Sequence, residues 1–187
     1  VVGDVSDKGV VAALFLARVL TMLRWLAPHC CDPAQLLMEL NGALCRDNGE
    51  DMFVTLGCGL VDLQTGEVAY SSAGHEPPLI WEGTHKNHCL ALTGGPALGL
   101  LPEAEFPLHR FGLKINQRLI LLSDGISEAQ NAEGEEFGLE RVLATFASDC
   151  DPLVARNQCL EAIREFSIEA EQHDDMTMLI LERKSRV

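Results

Sequence analysis

Val10 to Ala27 is the longest apolar run in the chain, with Arg18, Thr21 and Arg24 recurring through it at threefold spacing. That pattern predicts a core helix with one narrow polar stripe, ended by Pro28. Asp32-Pro33-Ala34-Gln35 then reads as an N-cap, a proline at the first helical position and a capping-box glutamine. Leu36, Leu40 and Leu44 line one face of the second helix that follows.

The period changes at Met52. From Val54 to Leu60 the even positions are Val, Leu, Cys and Leu and the odd ones Thr, Gly and Gly, a strand with one small face. Asp62–Glu67 reads as a hairpin loop and Val68–Ala73 as the partner strand. Further short strands are expected near Pro78–Trp81, Cys89–Leu92, Phe106–Arg110, Arg118–Leu122 and Met176–Leu181. Phe137–Phe146 and the Asp151-Pro152-capped run to about Ile168 read as helices. Helices, a long meander of strands, then helices and a closing strand argue for an α+β fold with antiparallel sheet. If helices cover two stacked sheets, the result is a four-layer αββα sandwich.

Composition narrows the classes. The 187 residues fit one domain, 1–187, able to bury about 70% of the surface its unfolded chain exposes. A net charge of −14 argues against nucleic acid and against anionic membrane surfaces, and it suits a site that holds divalent cations. Seven cysteines, odd in number and without a C-x-x-C pair, read as buried thiols of a reducing, cytoplasmic compartment. Arg18 and Arg24 interrupt the one stretch of membrane-like length. The chain starts at Val1 inside an apolar run, which reads as a fragment of something longer, with a second copy or residues outside this numbering expected to pair beside Val1-Val2.

Chemistry is concentrated in three acidic motifs. They are Gly3-Asp4-Val5-Ser6-Asp7-Lys8-Gly9, Leu122-Ser123-Asp124-Gly125 and His173-Asp174-Asp175-Met176-Thr177. Each lies at the end of an apolar run, where a carboxylate is held firmly yet reaches solvent. Carboxylates gathered together repel one another unless a cation fills the cluster, and all-oxygen ligands select hard ions such as Mg²⁺ or Mn²⁺. Taken singly, each motif has a plainer reading: Asp4 as a helix cap, Asp124 as a turn residue, Asp174-Asp175 as a loop leading into a strand. Together they read as a metal-dependent hydrolase site.

The first motif, with Ala12-Ala13-Leu14, resembles the Gly-Asp-Val-Ser-Gly-Lys-Gly signature of the bacterial SpoIIE/RsbU-type phosphatases of the metal-dependent, PP2C-like superfamily. Four further segments are similar to that family's in the same order: Met52–Leu56, Ala73–Leu79, Ser123–Ala129 and Asp174–Thr177. The resemblance covers nearly the whole chain. It implies an αββα sandwich bearing two Mn²⁺ or Mg²⁺ ions, with Asp4 bridging them, the Val5 carbonyl on one, and Asp124 and Asp174 completing the other. The implied reaction is hydrolysis of phosphoserine or phosphothreonine on a signalling protein, the family's usual substrates being anti-anti-sigma (STAS) regulators. The chain begins after a further acidic strand of the family, so one ion is expected to be poorly held. It also carries Asp7 where the family has glycine.

Other residues were weighed beside these. His75, in a turn before Glu76-Pro77-Pro78, reads as structural rather than as a general acid. His173 is a candidate for tuning the site, and Asn131–Phe137 reads as a solvated acidic loop. A cysteine phosphatase would need a Cys followed by a glycine-rich loop ending in Arg, which the chain lacks. Two rival functions stay open: a degenerate fold that docks a regulator without turnover, and a hydrolase of small phosphoesters.

Overall fold

The computed structural model describes residues 1–46, 52–83, 88–146, 150–168, 170, 172 and 174–185. The chain divides into two compact units, each built on one four-stranded sheet. One unit holds Gly3–His75 and Leu92–Gly112; the other holds Glu76–Ala91 and Leu113–Val187.

In the first unit, strands β1 (Val2–Val5), β2 (Val54–Val61), β3 (Glu67–Ala73) and β6 (His109–Gly112) lie in that order. The β2–β3 hairpin is antiparallel, in register from Leu56↔Ala73 to Val61↔Val68. Its loop is set by Asp62, whose carboxylate accepts from the Gln64 and Thr65 amides at 2.7 and 2.9 Å. Val54, Leu56 and Cys58 share one face and pack with helices α1 (Val10–Leu26) and α2 (Pro33–Arg46). The small face has an occupant. A Cβ on Gly57 would stand 2.7 Å from the Tyr70 hydroxyl, so glycine there makes room for a fully buried ring.

Helix α2 starts as its sequence dictates. The Asp32 carboxylate accepts from the Gln35 amide at 3.0 Å. The Gln35 side chain reaches back one residue beyond the expected capping-box partner, accepting from the Cys31 amide at 2.8 Å. Leu36, Leu40 and Leu44 are buried, and so is Asn41, whose side chain accepts from the Gly99 amide and donates to the Leu101 carbonyl.

Helix α1 corrects the expectation of a core helix. Only Ala12, Phe15 and Val19 are buried, while Val10, Leu14 and Trp25 are 76%, 68% and 69% exposed. The helix is apolar on nearly every side but meets packing along one stripe. It ends at Leu26, and Pro28 lies within a 3-10 turn over Ala27–His29. β1 stands at an edge of its sheet among the described residues.

In the second unit the order is β5 (His88–Cys89), β4 (Leu79–Trp81), β7 (Arg118–Leu122) and β8 (Met178–Glu182), all neighbours antiparallel. The strand expected at Phe106–Arg110 begins three residues later, as β6. Helices α4 (Gly138–Thr145) and α5 (Pro152–Phe166) pack over this sheet through Val142, Phe146, Ala155, Cys159 and Ile163. Asp151 caps α5 by accepting from the Leu153 amide at 2.9 Å. Trp81 donates its indole N–H to the Phe146 carbonyl, and the buried Arg118 guanidinium stacks 4.2 Å over its ring. All seven cysteines are free thiols, but only Cys58 and Cys159 are buried and Cys31 is exposed, which corrects the expectation of buried thiols.

Candidate functional site

Asp124 opens a single helical turn, α3 (Asp124–Ser127), one residue beyond the buried strand β7. The sequence marked the strand and the acid but not this turn. Its tightness comes from Gly125, where a Cβ would collide with the Asp175 backbone carbonyl. No larger residue lets the Asp124 turn and the Asp174-Asp175 segment come so close.

Ser123 joins the same two segments. Its amide donates to the Thr177 carbonyl at 3.0 Å, and its hydroxyl donates to the Asp175 carbonyl at 3.0 Å while accepting from the Thr177 amide at 2.9 Å. The ladder of β7 and β8 is thereby extended past Leu122↔Met178 to the acidic residues themselves. Asp124 and Asp174 offer carboxylate oxygens within 4.8 Å of each other, and both residues are half-buried. Each also accepts from the following amide, Asp124 from Gly125 at 2.9 Å and Asp174 from Asp175 at 2.8 Å.

The negative charge here is dense. Glu76 is raised above the usual carboxylate range, first by burial and then by the Asp124 charge, while a hydrogen bond from the Ser127 hydroxyl opposes the shift. Glu128 is raised by burial and then by Asp124, Glu136, Glu76 and Asp174. Two carboxyls that resist ionisation beside a close carboxylate pair describe a place short of positive charge. The donor set, oxygen only, fits a hard divalent cation. A groove of about 1050 Å³ opens beside the pair, walled by Asp124, Gly125 and Glu128–Gln130, by Gln172 and Asp174–Thr177, and by the end of α5.

Asp4 and Val5 lie at the end of β1 in the first unit. The following turn is pinned to β2 by a reciprocal pair: Ser6 donates its amide to the Phe53 carbonyl, and Phe53 donates its amide to the Ser6 hydroxyl, both at 2.9 Å. Thr55 stands under Asp4, its hydroxyl 3.5 Å from the Asp4 carbonyl and 3.1 Å from His75 Nδ1. The His75 backbone also bonds the Ser72 hydroxyl in both directions. These bonds tie His75 into its turn, in keeping with the structural reading of its sequence context. The helix-cap reading of Asp4 falls, because α1 begins at Val10 with Gly9 as its N-cap and no side-chain cap.

Asp7 adopts φ 70°, a left-handed conformation suited to glycine, and folds its carboxylate onto the Lys8 amide at 2.8 Å. His173 lies outside the described residues. Of the solvated acidic loop expected at Asn131–Phe137, residues 132–136 are exposed, organised by the Asn131 side chain accepting from the Glu133 and Glu135 amides, whereas Phe137 is buried in the core. Sequence reasoning quoted Ser123, Glu76 and Glu128 within motifs but gave them no role. For Ser123 the available signal was a hydroxyl placed directly after five buried strand residues.

Protein IcfG of Synechocystis sp. is 27% identical over 98% of the chain and 33% of its own length. The phosphoserine phosphatase RsbU of Bacillus subtilis is 24% identical over 98% of the chain and 55% of its own. The chain thus spans about a third to about half of these relatives. Among solved structures, the SiaA-PP2C domain of Pseudomonas aeruginosa superposes with a TM-score of 0.84 at 18% identity, covering 96% of this chain and 73% of that one. That likeness gives the fold: PP2C-like, α+β, two antiparallel sheets with flanking helices. Residues 1–184 match the family of Stage II sporulation protein E (SpoIIE), and the chain belongs to that family.

Proposed function

We propose that the chain is a metal-dependent protein serine/threonine phosphatase domain, acting on a phosphorylated bacterial signalling protein of the anti-anti-sigma (STAS) class. The single observation that carries this reading is the Asp124–Asp174 pair, two carboxylates held within 4.8 Å at the stapled ends of β7 and β8. Membership of the SpoIIE family and the relatedness to a phosphoserine phosphatase, RsbU, support it.

In this reading Asp4, the Val5 carbonyl, Asp124 and Asp174 would hold Mn²⁺ or Mg²⁺, which when bound would supply a water of lowered pKa and screen the phosphate charge. The chain supplies the rest. Ser123 and Gly125 fix the spacing of Asp124 and Asp174. Ser6, Thr55 and His75 fix the backbone that carries Asp4 and Val5. Phosphate-monoester hydrolysis is among the slowest uncatalysed reactions, with enzymatic accelerations of up to about 10²¹-fold, so rigid placement of charge is what the reaction demands. Seven free thiols accord with a reducing cytoplasm.

The test is turnover of a phosphoserine protein with Mn²⁺ present. EDTA should stop it, and Asp124→Asn should abolish it by removing a charged ligand at constant shape. Equal activity in EDTA rejects the reading. Metal binding without turnover of any phosphoprotein favours a regulator-docking module, the alternative to which Asp7 points.

A further inference from the structure

One stripe of α5 and the turn after it forms a wall of the groove beside Asp124 and Asp174: Leu160, Ile163, Arg164, Ser167 and Ile168. The intervals of three, one, three and one residues put these side chains on one helical face. Ile163 is 1% exposed and belongs to the core, whereas Ile168 is 78% exposed and Arg164 is exposed too. None of these five residues is a carboxylate that could ligate a metal. The wall's chemistry is one guanidinium flanked by aliphatic surface, which is the chemistry of recognition.

The charge balance says what is recognised. Arg164 is the one cation among the described residues lining the groove, in a set that includes Asp124, Glu128, Asp174 and Asp175. A basic peptide would suit those carboxylates if they stayed bare, but a cation held by the acidic pair removes that attraction. What remains among the described lining is Glu128, Asp175 and the Arg164 guanidinium, and of these Arg164 on its aliphatic wall is the group able to take a carboxylate. From Leu160 to Ile168 the wall runs about 12 Å at 1.5 Å per residue, which matches three to four residues of extended chain at about 3.3 Å each. The volume of about 1050 Å³ is at the upper end for small-molecule sites and ample for a short peptide segment.

We propose that this wall seats the sequence flanking the phosphorylated residue, with Arg164 pairing a substrate Asp or Glu and Ile168 covering an apolar side chain next to it. The proposal rests on the phosphatase reading and adds the specificity that reading lacks.

The experiment uses the full chain with Mn²⁺ and a set of phosphoserine peptides in which one Glu is moved through the four positions on either side. Each is measured with wild type, Arg164→Glu and Arg164→Lys, and p-nitrophenyl phosphate serves as the flank-free substrate. Wild type should prefer Glu at one position. Arg164→Glu should lower kcat/KM on that peptide about ten-fold more than on p-nitrophenyl phosphate, mostly through KM, and recover when the Glu becomes Lys. Arg164→Lys should keep most of the preference. Ile168→Ser, at an exposed position where folding is not at stake, should weaken the same peptide more than p-nitrophenyl phosphate. Equal losses on both substrates would place Arg164 on the phosphate itself and overturn the proposal, as would the absence of any flank preference. If wild type turns over nothing, fluorescence anisotropy of the same peptides decides separately: a Glu preference abolished by Arg164→Glu upholds the wall while the phosphatase reading fails.

Discussion

The Ser123 hydroxyl accepts the Thr177 amide at 2.9 Å, so a side chain joins the Ser123 amide in carrying the ladder past Leu122 and Met178. With its second bond to the Asp175 carbonyl, this hydroxyl holds the Asp174-Asp175 segment against Asp124. Ser123→Ala removes two part-buried bonds to the backbone of Asp175 and Thr177, both partly open to solvent. The expected cost is about 0.5–1.5 kcal/mol, or roughly 1–6 °C in Tm for a chain of this size. Mn²⁺ affinity should fall with it, measured by calorimetric titration well below the new Tm. Unchanged affinity at reduced stability would show that the staple serves the fold and not the acidic pair.

Asp7 should be dispensable and somewhat harmful. Its φ of 70° is a conformation that glycine adopts without strain, so Asp7→Gly should change stability by no more than about 1 kcal/mol, in the favourable direction. A carboxylate about 4–6 Å from an incoming phosphate would slow the reaction roughly 5- to 150-fold, and its removal should raise kcat/KM by a factor in that range. Steady-state kinetics on a phosphoprotein checks this. A drop in activity would make Asp7 a metal ligand.

Tyr70 is the only tyrosine of the chain and is fully buried, and burial pushes its hydroxyl from 10.0 to about 12, with Ser72 opposing. The folded state keeps this proton longer than the unfolded state does. Stability is therefore unaffected below about pH 10 and falls as pH rises through 10 toward 12, by about 3 kcal/mol for a shift of two units. Denaturant unfolding followed across that window should show the decline, with tyrosinate absorbance appearing only on unfolding. Tyr70→Phe should flatten that part of the profile. An equally steep decline in the variant would assign alkaline unfolding to other groups.

Much of this was legible in the sequence because local chemistry decides it. The alternation Val54, Leu56, Cys58 gave β2 its inner face, Asp62 gave the hairpin loop, and Asp32 and Asp151 gave two helix starts. Each depends on neighbours within a few residues. Helix α1 was misjudged for the opposite reason: an apolar residue at Leu14 or Trp25 reads the same whether or not anything packs on it. The one-turn helix at Asp124 was equally hidden, since four residues carry no period. The acidic motifs announced a site, but the Ser123 staple and the Arg164 wall depend on residues more than fifty positions apart in one case and on a surface contour in the other.

The exposed ring of Trp25 and the sheathed ring of Trp81 are the chain's two indoles, one in each unit. Iodide in solution can reach the first and not the second, and the guanidinium of Arg118 holds the second in a fixed electrostatic setting. The protein therefore carries an intrinsic optical label on each half. Quencher titration reads the α1 surface, and emission colour reads the integrity of the sheet that supports Asp124, so loosening of either half can be timed separately in one cuvette without attaching a dye.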